Sequence, residues 1–439
     1  MRSSKSVDRE APVQGAIVIH PDREGRSASR NPEARLEEAV GLALALDLEI
    51  RDRLVVTLRR TMPATLFGKG KVEELGRMLE LAEADVAIVD DALTPVQQRN
   101  LEKAWQVKVI DRTGLILEIF ARRARTREGR LQVELARLNY ERSRLVRTWT
   151  HLERQRGGFG VMGGPGETQI ETDRRLLSEK VGKLKKELTE VRRTRTLQRS
   201  ARKRHPYPTV ALVGYTNAGK STLFNRLTKS EVVAEDMLFA TLDPTLRMLK
   251  LPDGRPAILS DTVGFISDLP HELVEAFRAT LEEVKEADVV LHIRDISSPD
   301  SNAQAQDVRT VLAKLDVDMA ERTILEVWNK VDLVAADDRD LIEGDARRAQ
   351  PPAIVASAVT GAGCDALLAA VAALVDEAPP VNVFAPAGEG AAIAWLYRHG
   401  RVIDRADGKD GSVRLAVSLS PQALGQFEQQ FPSSEIRGR

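Results

Sequence analysis

Residues 209–221 read Thr-Val-Ala-Leu-Val-Gly-Tyr-Thr-Asn-Ala-Gly-Lys-Ser, so an apolar stretch runs directly into a glycine-rich loop that ends in Lys-Ser. The spacing G-x4-G-K-[ST] between a strand and a helix is typical of loops whose backbone N–H groups cradle phosphate oxygens. Lys220 would neutralise phosphate charge, and the Ser221 hydroxyl would ligate Mg²⁺. We therefore predict that a nucleotide is bound by Gly214, Tyr215, Thr216, Asn217, Ala218, Gly219, Lys220, Ser221 and Thr222.

Two motifs further along the chain predict guanine as the base. Asn329-Lys330-Val331-Asp332 follows an apolar run at 324–328. The Asp332 carboxylate can accept hydrogen bonds from guanine N1–H and the exocyclic amine, a pair that adenine lacks, so the site would reject adenine. Ser357 and Ala358 follow another apolar run, and their backbone N–H groups can donate to guanine O6; Val359 completes the predicted nucleotide-binding set. The predicted ligands are GTP and GDP.

Two segments between these motifs would sense the γ-phosphate. Asp261-Thr262-Val263-Gly264 follows a short strand, which suits Asp261 to hold a Mg²⁺-bound water and the Gly264 N–H to approach the γ-phosphate. A switch segment, Phe239-Ala240-Thr241-Leu242-Asp243, offers Thr241 as a further Mg²⁺ ligand, with Thr245 as the alternative. The predicted catalytic residues are Lys220, Thr241 and Gly264.

The residue after Gly264 departs from the common pattern. Many GTPases carry a glutamine there that orients the attacking water, whereas this chain has Phe265. A phenyl ring cannot hydrogen-bond water. We therefore expect slow intrinsic hydrolysis that a partner accelerates.

Composition limits the class of protein. The chain has 439 residues, and its 65 Lys and Arg balance 65 Asp and Glu, which removes any whole-chain argument for nucleic-acid binding. The single cysteine, Cys364, permits no intramolecular disulfide, which fits a reducing compartment. No apolar run reaches the ~18–20 residues of a membrane span. We expect a cytoplasmic protein with no membrane span.

The predicted fold class is α/β, because short β-branched runs alternate with helical stretches on both sides of the loop. A P-loop GTPase domain with a doubly wound, mostly parallel sheet would follow a small α/β domain and an antiparallel helical hairpin.

In a small C-terminal domain we expect strands at 391–396 and 412–419 and a helix from Gln422. The predicted domains are a flexible lead at 1–33 with one candidate strand at 16–20, the α/β domain at 34–115, the hairpin at 116–204, the GTP-binding domain at 205–378 and the C-terminal domain at 379–439.

The hairpin is predicted from apolar seams and carries most of the segregated charge. Leucines recur every seven residues from Leu131 to Leu152, and a second seam steps by four and three from Leu177 to Val191. Residues 121–156 have a net charge of +7 and residues 174–204 a net charge of +10. A solvated helix surface is the ordinary interpretation, but segregation of this size favours contact with RNA. The RNA-facing candidates are Gly163, Gly164, Pro165 and Gly166 in a tip at 157–166 and Arg192, Arg193 and Arg195.

These motifs resemble the HflX family of translation-associated GTPases over about residues 34–378. Phe265 and the segment Phe239-Ala240-Thr241 fit that family, which favours Thr241 as the magnesium ligand. The most specific blocks lie outside the nucleotide motifs, at Phe67–Leu75, Gln97–Glu102, Asp111–Leu117, Glu128–Leu135 and Gly163–Glu171.

The resemblance implies a partner and an activity. It implies binding to the large (50S) ribosomal subunit and its RNA, stimulation of GTP hydrolysis by that subunit, and splitting of stalled or stressed ribosomes. We expect the protein itself to be a monomer. The tip at 157–166 would then reach towards the peptidyl-transferase region. The family is also linked to ATP use by its N-terminal domain, which Lys69 and Lys71 could serve, although these lysines favour a structural role.

Two other functions remain open at this stage. One is a protein-interaction switch that modulates a protease or a membrane complex without RNA, which would place the chain peripherally at a membrane. The other is ATP-driven RNA remodelling.

Overall fold

The computed structural model describes residues 14–23, 31–155, 165–202, 207–230, 238–239, 241–269, 283–314, 323–350, 352–375, 381–408, 411–419 and 421–437. This description excludes the side chains of residues 145–155, 165–171, 173, 192, 194–202, 401, 421, 422 and 437.

The first domain is built on a parallel sheet of four strands in the order β2-β1-β3-β4. The strands are β1 (Gly15–Arg23), β2 (Glu49–Leu58), β3 (Val86–Val89) and β4 (Lys108–Asp111), and the helices are α1 (Pro32–Leu44), α2 (Lys69–Leu81), α3 (Pro95–Trp105) and α4 (Arg112–Arg123). The N-termini of α1 and α3 are fixed by Asn31, whose side chain accepts from the Glu33 N–H, and by a Thr94–Gln97 capping box. The predicted α/β class is confirmed.

The candidate strand at 16–20 is confirmed as part of β1, but the assignment of residues 1–33 to a flexible lead is wrong for residues 15–23. β1 lies inside the sheet, paired with β2 on one side and β3 on the other, and Ile17, Val18 and Ile19 are buried. An interior strand of a parallel sheet is covered on both faces, so it belongs to the core of the domain. The first domain therefore begins at about residue 15.

Two long helices follow, α5 (Arg127–Gln155) and α6 (Pro165–Arg202). The apolar seams are buried at Leu131 and Leu138 in α5 and at Leu184 and Leu188 in α6. The predicted tip residues Gly163 and Gly164 lie outside the described residues.

The middle of α5 is attached to the end of β4 through the carboxylate of Asp111. Asp111 Oδ1 accepts from the Tyr140 hydroxyl at 2.6 Å, and Oδ2 accepts from Arg144 at 2.6 Å. The same carboxylate caps α4 by accepting from the Gly114 N–H at 2.8 Å. Charge-assisted bonds of this kind orient the first helix of the hairpin on the α/β domain.

The GTPase-type domain has a six-stranded sheet in the order β10-β9-β8-β5-β7-β6, in which only the β6–β7 pair is antiparallel. The core consists of apolar side chains from the strands and from α7 and α10. Its strands are β5 (Thr209–Gly214), β6 (Thr245–Lys250), β7 (Pro256–Asp261), β8 (Val289–Asp295), β9 (Ile324–Asn329) and β10 (Ala353–Val355). Its helices are α7 (Lys220–Thr228), α8 (Ser301–Lys314), α9 (Ala336–Arg348) and α10 (Cys364–Leu374).

The C-terminal domain is an antiparallel sheet in the order β12-β13-β11-β14. Its elements are β11 (Val381–Ala385), α11 (Gly390–His399), β12 (Arg401–Asp407), β13 (Val413–Ser418), α12 (Pro421–Gln430) and β14 (Glu435–Arg437). The expected strand at 412–419 and the helix from Gln422 are confirmed, but the expected strand at 391–396 is wrong. That segment is helical, and its buried residues Ala392 and Leu396 have the i, i+4 spacing of one helix face.

Across the parts of the chain that the structure describes, none of the helices combines the length and apolarity that a membrane crossing requires.

Candidate functional site

The glycine-rich loop joins β5 to α7 at the carboxyl end of the sheet, where α/β folds place their ligands. Gly219 has φ of +88°, and a Cβ there would lie 2.2 Å from Asn329 Nδ2, so only glycine fits. A Cβ on Gly214 would lie 2.3 Å from the Ile293 carbonyl oxygen. The loop is therefore shaped by close backbone approach on both sides, and α7 begins at Lys220 with its N–H groups facing the loop.

Lys220 is buried inside this loop. Its ammonium donates to the carbonyl oxygens of Gly214 at 3.1 Å and Tyr215 at 2.8 Å. Burial lowers the pKa of Lys220 to about 8, and the carboxylate of Asp261 opposes that shift. A phosphate placed in the loop would favour the charged ammonium, because it supplies the opposite charge that the buried group lacks.

Three oxygen-bearing side chains converge beside the loop. Asp261 Oδ2 accepts from the Ser221 hydroxyl at 2.8 Å and from the Thr241 hydroxyl at 2.8 Å, and the two hydroxyl oxygens are 2.9 Å apart. Burial raises the pKa of Asp261, while Lys220 and the two hydroxyl hydrogen bonds oppose that rise. One carboxylate and two hydroxyls are hard oxygen donors that suit Mg²⁺, which usually takes one or two protein ligands and completes its shell with water and phosphate.

Thr245, the alternative to Thr241, is the first residue of β6, opposite Asp261 in the antiparallel register. Its backbone is therefore near the cluster, but the hydroxyl that joins Asp261 and Ser221 is that of Thr241.

Gly264 and Phe265 lie directly against the glycine-rich loop. A Cβ on Gly264 would be 2.8 Å from Thr216 Cγ2 and 3.1 Å from Lys220 Nζ. The Phe265 N–H donates to the Gly214 carbonyl at 3.1 Å, and its carbonyl accepts from the Thr216 N–H at 2.6 Å. The Phe265 ring is buried. Here the backbone after Gly264 is fixed to the loop, and the side chain offers no group that could orient water.

The residues predicted to recognise the base lie at the ends of β9 and β10. Asn329 is buried, its Nδ2 donates to the Ala218 carbonyl at 2.8 Å, and its Oδ1 accepts from the Ala358 N–H at 2.9 Å. It therefore connects the glycine-rich loop to the loop that contains Ser357 and Ala358. Asp332 Oδ1 is shielded from solvent and has no hydrogen-bond partner among the residues that the structure describes. An orphaned buried carboxylate oxygen is costly unless a ligand donates to it, and guanine N1–H is such a donor.

Other predicted residues have different surroundings. The ring of Phe239 packs edge-on against Phe120 with centroids 4.6 Å apart. Ala240 lies outside the described residues, and so do the side chains of Arg192 and Arg195. Arg193 is exposed on α6, as an RNA-facing residue would need to be.

Sequence reasoning missed two contacts of the site. It treated Asn329 only as part of the base motif, and it gave no role to Arg226, whose guanidinium donates to the Ala358 and Val359 carbonyls. The contact between Asn329 and Ala218 joins positions 111 residues apart, and the contact between Arg226 and Ala358 joins positions 132 residues apart. A local pattern in one sequence carries no signal for either.

Comparison with known families matches almost the whole chain. Four family models align in chain order. They are described as GTP-binding GTPase N-terminal over residues 33–121, GTP-binding GTPase Middle Region over 123–202, 50S ribosome-binding GTPase over 209–330 and HflX C-terminal domain over 344–436.

Individual relatives match over most of their length. GTPase HflX of Magnetococcus marinus is 53% identical over 394 residues, covering 90% of each chain. GTPase HflX of Escherichia coli (strain K12) is 43% identical over 385 residues, covering 88% of this chain and 89% of the relative. A solved GTP-binding protein from Sulfolobus solfataricus in complex with GDP is 23% identical, covers 83% of this chain and 99% of its own, and superimposes with a TM-score of 0.45.

Proposed function

This chain belongs to the HflX family of GTPases, and from that premise we propose that it hydrolyses GTP while bound to the large ribosomal subunit and thereby splits stalled or stressed ribosomes in the cytoplasm. The observation that carries the hydrolytic part is the oxygen cluster of Ser221, Thr241 and Asp261 beside the buried Lys220. The ribosomal part is supported by the match of residues 209–330 to a 50S ribosome-binding GTPase model and by the basic hairpin.

The proposed roles follow from where the groups lie. Lys220 and the N–H groups of the loop hold the β- and γ-phosphates, and the Gly264 N–H stabilises charge on the γ-phosphate as it is transferred to water. Ser221, Thr241 and, through a water, Asp261 would hold Mg²⁺, which would neutralise phosphate charge there. Asp332 identifies guanine, and the Ser357-Ala358-Val359 loop donates to its O6.

Slow intrinsic turnover is part of the same proposal. Phe265 offers no hydrogen bond to the attacking water, and the buried ring and the two backbone bonds to the loop hold this residue in place. A group that orients the water must then come from elsewhere. We propose that the ribosome supplies or orders it.

The decisive test is GTP turnover by the full chain with and without purified large subunits. We expect stimulation of at least one order of magnitude, because placing one transition-state group is commonly worth ~10²-fold or more. Lys220→Ala should remove turnover in both conditions. Equal rates with and without subunits would contradict the proposal, and turnover of ATP that survives Lys220→Ala would favour ATP-driven RNA remodelling.

The hairpin is proposed to lie against ribosomal RNA. Arg193, Lys183, Lys185 and Lys186 are exposed on α6, while Val181, Leu184 and Leu188 in the apolar seam of the same helix are buried. A helix with one buried seam and exposed cations presents those cations to a partner, and phosphates are the densest anions on a ribosome. A protein partner without RNA is the rival interpretation.

Reversing the charges of the three arginines predicted to face RNA tests that contact. Arg192→Glu, Arg193→Glu and Arg195→Glu together should weaken ribosome co-sedimentation by roughly tenfold or more and flatten its salt dependence, because fewer counterions are released on binding. The matched control reverses Arg247, Lys250 and Arg347, which are exposed basic residues of the GTPase-type domain. Equal binding by both triple variants would favour the protein-interaction switch.

A further inference from the structure

Arg226 links the phosphate-binding helix to the loop that follows β10. It lies in α7, which begins at Lys220. Its Nε donates to the Ala358 carbonyl oxygen at 2.5 Å, and its Nη2 donates to the Val359 carbonyl oxygen. One guanidinium therefore holds two consecutive carbonyls of the loop that carries the Ser-Ala motif.

Because a peptide group is planar, the contact that Arg226 makes with the Ala358 carbonyl also affects the N–H group on the other side of that peptide. The Ala358 carbonyl and the Val359 N–H belong to one planar trans peptide, so they point in opposite directions. A donor that fixes the carbonyl therefore also sets the direction of the N–H. A charged donor additionally polarises the peptide, which strengthens its N–H as a donor.

The neighbouring peptide of the loop is held by a different residue. The Ala358 N–H donates to Asn329 Oδ1 at 2.9 Å, and Asn329 also holds the Ala218 carbonyl. Asn329 thus fixes the Ser357–Ala358 peptide, and Arg226 fixes the next one. The two residues approach the loop from β9 and from α7.

Packing does not explain the contact at Val359. Ala358 is buried in the apolar core, but Val359 is 65% exposed, so apolar burial does not hold Val359 in place. The loop closes around the guanidinium at Gly361, where φ is +91° and a Cβ would lie 2.8 Å from Arg226 Nη1. Any larger residue at position 361 would displace the arginine or the loop.

We propose that Arg226 is a positioning residue for guanine recognition, which orients and polarises the Ala358–Val359 peptide so that its N–H donates to guanine O6. This proposal rests on the guanine site proposed above. It predicts that Arg226 affects the hydrogen bond to guanine O6. It should not affect the hydrogen bond between Asp332 and the guanine 2-amino group.

The test compares three diphosphates on the full-length protein by calorimetry: GDP, 6-thio-GDP, whose sulfur is a weaker acceptor at position 6, and IDP, which lacks the 2-amino group. In Arg226→Met we expect GDP affinity to fall by roughly tenfold and 6-thio-GDP affinity to change little, since a charge-assisted hydrogen bond contributes on this scale. The preference for GDP over 6-thio-GDP should therefore shrink towards unity. The preference for GDP over IDP should stay as in the wild type.

Two further variants separate this role from a structural one. Arg226→Lys keeps a cation but cannot hold both carbonyls with one planar fork, so an intermediate preference is expected. Arg247→Met, an exposed arginine of β6, should leave all three affinities unchanged. An unchanged preference for GDP over 6-thio-GDP in Arg226→Met, or an equal loss for both ligands, would overturn the proposal. Wild-type protein that binds GDP and ADP equally would overturn the guanine site itself.

Discussion

Replacing Asp332 with asparagine should convert the protein from a guanine-binding to a xanthine-binding one. Xanthine keeps N1–H but carries a carbonyl where guanine has its amine, so the carbonyl of the introduced amide can accept from N1–H while its NH₂ group donates to the xanthine carbonyl. Guanine would instead face a donor opposite its amine. We expect GTP affinity to fall by two or more orders of magnitude, on the scale by which buried polar sites reject a mismatched partner, and XTP affinity to rise.

The structure indicates that, for the residues it describes, this substitution removes no internal contact of the Asp332 side chain. Asp332 Oδ1 has no hydrogen-bond partner within the described part of the chain, and the contact from Arg339 goes to the Asp332 backbone carbonyl at 3.2 Å. The variant should therefore unfold within about two degrees of the wild-type temperature, as expected for a substitution that removes no internal contact. Asp338→Asn, on the exposed first turn of α9, serves as the matched control and should retain the preference for GTP. A variant that still binds GTP more tightly than XTP would show that Asp332 does not identify the base.

Local signals in the sequence predicted most of the strands that position the site. The glycine-rich loop, Asp261 and Asn329 each follow an apolar run, and each run is a strand of one sheet. Parallel strands that are covered on both faces produce uninterrupted apolar runs, which are easy to recognise. The fold class followed from these runs and their helical spacers.

The errors have physical causes as well. The short apolar run at 16–19 predicts a strand, but it gives no sign that this strand will lie between β2 and β3, because pairing partners are fixed by tertiary packing. Residues 391–396 are equally compatible with a strand or with a buried helix face, and the helix forms with Ala392 and Leu396 inward. Short apolar runs are ambiguous between these two states.

Within the site, sequence could name the groups but not their partners. The sequence favoured Thr241 in the switch segment but left Thr245 open as the alternative. Only the fold shows that the Thr241 hydroxyl lies 2.8 Å from Asp261 Oδ2. The contacts of Asn329 and Arg226 likewise depend on the tertiary fold. It brings the ends of β9 and β10 together with α7 at the carboxyl end of the sheet.

Thr241→Ala should lower ribosome-stimulated turnover by on the order of a hundredfold, the usual cost of removing one group that stabilises transferred charge. Its hydroxyl is one of three oxygens in the cluster, and a switch threonine ligates Mg²⁺ only when the γ-phosphate is present. GDP affinity should therefore remain close to wild type, while GTP turnover should need a higher Mg²⁺ concentration. Thr241→Ser, which keeps the hydroxyl, should recover most of the activity.

Thr245→Ala is the matched control, because Thr245 lies opposite Asp261 in the β6–β7 register and has the same side chain. Its turnover should stay within about twofold of wild type, since the hydroxyl that joins Ser221 and Asp261 belongs to Thr241. The assignment depends on the contrast between the two variants. Loss of stimulated turnover in Thr245→Ala with normal turnover in Thr241→Ala would transfer the magnesium ligand to Thr245, and equal loss in both would show that the segment acts as a unit without a single ligand.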